Sequence, residues 1–251
     1  MTGQNGGGLA LEKGPKHAAD GQPPLLLLPG TACDRRIFQP LIDRLGDYPV
    51  IIGDMTGGRT MPDIARSVLA AAPPVFLLAG FSLGGICALE MVAQMPHRVA
   101  KLALIDSTAR PDLPANAEIR RRAVERARTM GMDTFILDGW ERLVAPANVG
   151  DVGLREEIVA MARDCGPDNL ETQAEAAIHR ADSRPRLAAI GMPTLVLAGE
   201  HEQICPIEAQ YEIANGIAGA NLQLIANAGH FAPLENAEAV ALHIDRWLNG
   251  A

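Results

Sequence analysis

Cysteine is scarce in this sequence, and its four residues, Cys33, Cys87, Cys165 and Cys205, stand far apart. None belongs to a CxxC pair or has a histidine companion at metal-ligand spacing, so neither a metal site nor a disulfide framework is expected. Reduced thiols in a cytoplasmic protein are the plain expectation. Long apolar runs are missing too. The longest purely aliphatic one, Leu25 to Leu28, falls far short of the ~20 residues that cross a bilayer. Residues 1–22 hold no apolar stretch suited to a signal peptide, so export is not expected. Positive charge is in deficit, with 22 basic against 30 acidic residues and a net charge of -8. That balance repels phosphate backbones and anionic lipid, which argues against nucleic-acid and membrane partners.

What is present is the composition of a folded domain, with 48% hydrophobic and 21% charged residues over 251 positions. Residues 1–22 lack periodicity and read as a loose arm. Beyond them, short apolar runs alternate with longer helical patterns, the signature of βαβ units and a mostly parallel sheet flanked by helices. The expected strands are Leu25–Leu28, Val50–Ile52, Val75–Ala79, Leu102–Ile105, Thr194–Ala198 and Leu222–Ile225. The expected helices between them are Asp34–Leu45, Met61–Ala71, Gly84–Gln94, Pro206–Ile217 and Asn236–Leu248. Between Ile105 and Thr194 the alternation stops, and only helical patterns follow: Glu118–Met130, Asp133–Leu143, Leu154–Cys165 and Leu170–Ala181. The chain therefore divides into a core of residues 23–109 and 186–251 and a helical insertion, a candidate lid, at 110–185.

Chemistry concentrates at Gly80-Phe81-Ser82-Leu83-Gly84, which ends a buried strand pattern and opens a helix. A serine displayed on such a turn needs a strained backbone and small neighbours, and Gly80 and Gly84 supply the room. Serine also needs a base. His230, in Asn227-Ala228-Gly229-His230-Phe231 after the last strand, lies at the sheet edge where it can reach Ser82. His201 is the rival. A carboxylate must then hold the imidazole in one tautomer. Glu202, in the loop after Thr194–Ala198, is the first choice; Asp106, at the end of Leu102–Ile105, is the alternative. The amides of Leu83 and of Thr31, the latter in Leu28-Pro29-Gly30-Thr31, would form an oxyanion hole.

These features, in the order Ser…acid…His, resemble the α/β-hydrolase superfamily over about residues 24–250. Within it the chain is similar to the group of small esterases, enol-lactonases, carbon–carbon bond hydrolases and cofactor-free perhydrolases. The resemblance implies an acyl-enzyme route on a small-molecule acyl substrate, with no metal or organic cofactor. Phe135, Leu137, Trp140 and Leu143 would line an acyl pocket, and Arg35 and Arg36 would orient an acidic substrate. The same triad also serves carbon–carbon cleavage and acyl transfer, and the fold occurs as a non-catalytic ligand receptor. Two departures from the family pattern stand out. Glu202 replaces the usual Asp, and Pro29-Gly30 replaces a frequent His-Gly, which removes a side chain that braces the oxyanion loop. The family's first antiparallel hairpin is not expected either, since only the arm precedes Leu25.

Overall fold

The computed structural model describes residues 22–250, so all of the expected arm except Gln22 lies outside the described residues. Six strands carry the core: β1 (Leu25–Leu28), β2 (Val50–Ile52), β3 (Phe76–Phe81), β4 (Val99–Ile105), β5 (Thr194–Gly199) and β6 (Asn221–Ile225). All pair in parallel, in the order β2-β1-β3-β4-β5-β6. Parallel strands buried on both faces read as continuous apolar runs, which is why β1, β3 and β5 stand out in the sequence. β4 starts earlier than the apolar run suggests. The exposed Ala100 and the polar Lys101 disguise its beginning, and Lys101 spends its ammonium on the carbonyls of Trp247 and Leu248.

Side chains alternate across the sheet. Leu25 and Leu27 enter one core with Phe38 and Trp247, while Leu26 and Leu28 enter the other with Ile64 and Leu89. The first face is covered by α1 (Gln39–Leu45) and, at the C-terminus, α9 (Ala232–Glu235) and α10 (Ala237–Asn249). The second is covered by α2 (Met61–Ala71), α3 (Leu83–Gln94) and α8 (Ile207–Gly216). The expected helix from Asp34 is a 3-10 turn at Arg35–Phe38 running into α1, and the Asp34 side chain accepts from the Arg36 amide.

Between β4 and β5 stand α4 (Pro114–Met130), α5 (Asp133–Leu137), α6 (Trp140–Leu143) and α7 (Val152–Ile178), here called the cap. Gly139 divides what reads in the sequence as one helix into α5 and α6. Gly166, at φ 74°, followed by Pro167, kinks α7 where the sequence pattern shows two helices. The strand order reverses between β1 and β3, and parallel sheets open a crevice at the carboxyl ends of strands at such a switch. Residues following β1 and β3 therefore share one rim.

Candidate active site

Ser82 ends β3 and precedes α3 with φ 52° and ψ -115°, a conformation rare for a residue with a side chain. The neighbouring packing leaves no room for a side chain on either glycine of this turn. A methyl on Gly80 would lie 2.3 Å from the Gly84 carbonyl oxygen, and one on Gly84 would lie 2.1 Å from that of Leu28. The Ser82 amide donates to the Ile105 carbonyl, and Ser107 Oγ donates to the Ser82 carbonyl.

The imidazole of His230 meets this serine. Its Nε2 lies 2.9 Å from Ser82 Oγ, and its Nδ1 lies 2.5 Å from Glu202 Oε2. A carboxylate only accepts, so Nδ1 carries the proton and Nε2 is left as the acceptor for the serine hydroxyl. His230 and Glu202 are buried and Ser82 is half-buried. The rings of Phe81 and Phe231 flank the imidazole at 5.2 and 5.8 Å between centroids. The additional methylene of Glu202 is absorbed by its own loop. Oε1 accepts from the amides of Ile204 (2.5 Å) and Cys205 (3.1 Å), which curls the chain back around the carboxylate. The rival His201 is exposed, and its amide donates to the Ala228 carbonyl.

Asp106 lies at the end of β4 with φ 47° and is fully buried. Its Oδ1 accepts from the Gly199 amide at 2.7 Å, while Oδ2 has no hydrogen-bond partner among the described residues. The Gly199 carbonyl accepts in turn from the Glu202 amide, so the two acids are anchored on one residue. Burial, and next the charge of Glu202, push the Asp106 carboxyl well above the usual carboxylate range.

Thr31 and Leu83 both line the cavity around Ser82. Leu83 opens α3, so its N–H is among those a helix leaves without an internal partner. Gly30 lets the β1 loop press inward: a methyl there would meet the Phe81 ring at 2.8 Å and Ser82 Cβ at 3.1 Å. The loop after β1 is braced instead from the cap. Buried Gln173 of α7 accepts through Oε1 from the Ala32 amide at 2.9 Å, where Ala32 holds φ 54°. Glu235 plays a matching part for the histidine loop. Its Oε1 accepts from the amides of Gly229 and Phe231, and its Oε2 accepts from the Ala145 amide and the Asn148 side chain. The His230 amide donates to the Leu143 carbonyl. Neither Gln173 nor Glu235 carries a sequence signal, because each bonds to backbone amides rather than to a motif.

A cavity of about 490 Å³ opens over Ser82 and His230, between the sheet rim and the cap. Phe135 and Leu143 line it. The other expected lining residues do not. Leu137 lies exposed, and Trp140 turns into the core with its Nε1 donating to the Val149 carbonyl. Arg35 and Arg36 also stand away from the cavity. Arg36 pairs with Asp34 and with Asp164, and Arg35 Nε donates to Gln39. The first turn after the β1 loop faces its own neighbours, so the expectation for these two arginines is corrected. Among the described residues no helix is long and apolar enough to cross a membrane.

A parallel sheet, a serine on a strained strand-to-helix turn and a histidine at the same rim define an α/β-hydrolase, and the chain belongs to the alpha/beta hydrolase family, whose model matches residues 25–242. At 30% identity it is similar to a thermophilic esterase from Thermogutta terrifontis, solved with malate bound; the match covers 96% of this chain and 93% of that one at a TM-score of 0.87. It is also 28% identical, over 90% of its length and 95% of the relative's, to a pimeloyl-[acyl-carrier protein] methyl ester esterase of Xanthomonas oryzae pv. oryzae. The enol-lactonase from Burkholderia xenovorans, at 22% identity, 96% coverage of both chains and a TM-score of 0.82, shares the fold.

Proposed function

We propose that the chain is a serine hydrolase that cleaves a carboxylic ester or lactone through an acyl-enzyme on Ser82. The observation that carries this reading is the continuous line from Ser82 Oγ through the two nitrogens of His230 to Glu202, at 2.9 and 2.5 Å. His230 Nε2 takes the Ser82 proton as Oγ bonds to the substrate carbonyl carbon, and Glu202 stabilises the imidazolium. The amides of Leu83 and Thr31 hold the oxyanion. As the carbonyl re-forms, His230 gives the proton to the leaving oxygen. Water then repeats the sequence on the ester of Ser82 and restores the free hydroxyl. Residues 110–185 act as the lid over this site, and Gln173 and Glu235 tie its helices to the oxyanion and histidine loops.

Asp106 is assigned a supporting part. Burial and the neighbouring charge of Glu202 both disfavour a charged Asp106, which favours Glu202 as the acid of the triad. The two esterase relatives, at 28% and 30% identity, favour ester cleavage over the receptor reading.

A panel of short p-nitrophenyl esters and enol-lactones tests the proposal. Wild-type protein is expected to turn over at least one of them, and Ser82→Ala to lose ~10⁴-fold or more of that rate. Folded wild-type protein inert towards the whole panel would overturn the reading.

A further inference from the structure

The walls of the cavity carry more positive charge than a neutral ester needs. In a chain of net charge -8, three guanidiniums, those of Arg120, Arg142 and Arg180, line the space above Ser82 against one carboxylate, Asp112. Their bonding sorts them into two kinds. Arg180, its side chain 7% exposed, is committed to the fold: Nε donates to the Arg110 carbonyl, Nη1 to that of Ala177, and Nη2 lies 3.3 Å from Asp112. Asp112, its side chain 2% exposed, also accepts from Asn116 and from Arg120 Nε at 2.7 Å. Burial would raise its carboxyl, yet the hydrogen bonds from Arg120 and Asn116 and the two arginine charges hold it below the ordinary value. One carboxylate is thus shared between two arginines, and a positive charge is left over at Arg120.

Arg142 adds a second. It lies on α6, exposed at the cavity mouth, and no side-chain hydrogen bond or ion pair holds its guanidinium among the described residues. Arg120 and Arg142 both belong to the cap, facing a floor formed by Ser82 and His230, with apolar walls from Ile86, Val124, Phe135 and Leu143. A reacting carbonyl on the floor leaves room for a chain whose far end reaches guanidiniums. The fork of a guanidinium matches the two oxygens of a carboxylate, and a partly enclosed cavity strengthens that attraction over its value in water.

We propose that the substrate is an ester or lactone bearing a carboxylate remote from the scissile bond, and that Arg120 and Arg142 bind this carboxylate while Asp112 and Arg180 hold Arg120 in place. The inference rests on Ser82 hydrolysing esters and adds the class of substrate.

The test compares diethyl glutarate, monoethyl glutarate and ethyl 4-phosphonobutanoate, which share one chain length, by kcat/KM per ester bond at pH 7.5. For wild-type protein the half-ester is expected to exceed the diester by about tenfold to a hundredfold. Arg142→Gln is expected to lower that ratio by about tenfold, and Arg120→Gln to lower it as well. Arg122→Gln, whose arginine pairs on the outer face of α4 with Glu118, should leave the ratio unchanged. Because Arg120→Gln also strips a partner from buried Asp112, the exposed Arg142 gives the variant that decides if the former fails to fold. A wild-type ratio near or below one, or a ratio unmoved in Arg142→Gln, would overturn the proposal. Preference for the phosphonate over the half-ester would overturn the carboxylate assignment. Turnover of the diester without preference defeats this inference alone, whereas inertness towards all three esters and the p-nitrophenyl panel defeats the hydrolase reading beneath it.

Discussion

Strands β1, β3 and β5 are buried along their whole length, whereas the seventeen residues of α4 bury only Val124 and Ala127. The sheet is held by apolar contact on both faces. The outer face of the cap is laced instead by exposed ion pairs such as Arg121–Glu175, Arg126–Asp138 and Arg163–Asp133, which contribute little to stability. Ser82, His230 and Glu202 all stand on turns and loops at the rim of the sheet. The cap supplies Arg120 and Arg142 to the cavity and the two side chains, Gln173 and the Asn148 partner of Glu235, that join it to those loops. Division of labour follows: reacting atoms need fixed geometry, while selection of a substrate tolerates a lighter scaffold.

The largest expected contrast lies inside the sheet region, between its two buried acids. Glu202→Gln is expected to lower kcat by ~10⁴-fold, since the imidazole loses its tautomer and its counter-charge. Asp106→Asn is expected to cost less than about tenfold, because an amide can accept from Gly199 and remains neutral; steady-state kinetics on one ester checks both. The reverse ranking would move the acid to Asp106. Stability offers an independent reading of Asp106. Its folded value is raised from 3.8, so the native state keeps a proton that the unfolded chain releases. Wild-type stability relative to Asp106→Asn is therefore greatest below the unfolded value and is lost as pH rises towards the folded one. Urea denaturation from pH 4 to pH 8 should show the variant gaining on the wild type.

The next contrast crosses from cap to core. Gln173→Leu removes the acceptor for the Ala32 amide and should lower kcat about tenfold, with Gln173→Glu restoring most of it. Equal activity of the Leu variant and the wild type would mean that the loop after β1 needs no support from the cap. Two glycines sharpen the same comparison in stability. Gly84→Ala, with its methyl 2.1 Å from the Leu28 carbonyl oxygen, should destabilise by about 3 kcal/mol. Gly150→Ala, between α6 and α7 of the cap with no other packed atom within 4 Å of the added carbon, should change stability by less than ~0.5 kcal/mol in chemical denaturation.

The same division decides what could be read from the sequence. Apolar runs located the strands, most sharply β1, β3 and β5, where burial on both faces excludes polar residues, and the GxSxG pattern located the turn because its glycines have no space for a side chain. Glu202 and His230 were legible as loop residues following β5 and β6. The cap was legible only as helices. Which of its faces turns inward depends on the break at Gly139 and the kink at Gly166, so Trp140 and Leu137 were misplaced in the cavity and Arg120, Arg142 and Arg180 were not noticed. Gln173 and Glu235 escaped for another reason. Each serves backbone amides of loops elsewhere in the fold, including Ala32, 141 positions from Gln173, and Ala145, 90 positions from Glu235, and such bonds leave no spacing to recognise.

Covalent capture of the nucleophile tests the central claim most directly. Treated with a fluorophosphonate and analysed by peptide mass spectrometry, the wild-type protein should carry a stoichiometric adduct on Ser82 that parallels loss of ester hydrolysis, with none in Ser82→Ala. An adduct on a different residue, or undiminished hydrolysis by the Ser82→Ala protein, would contradict the account.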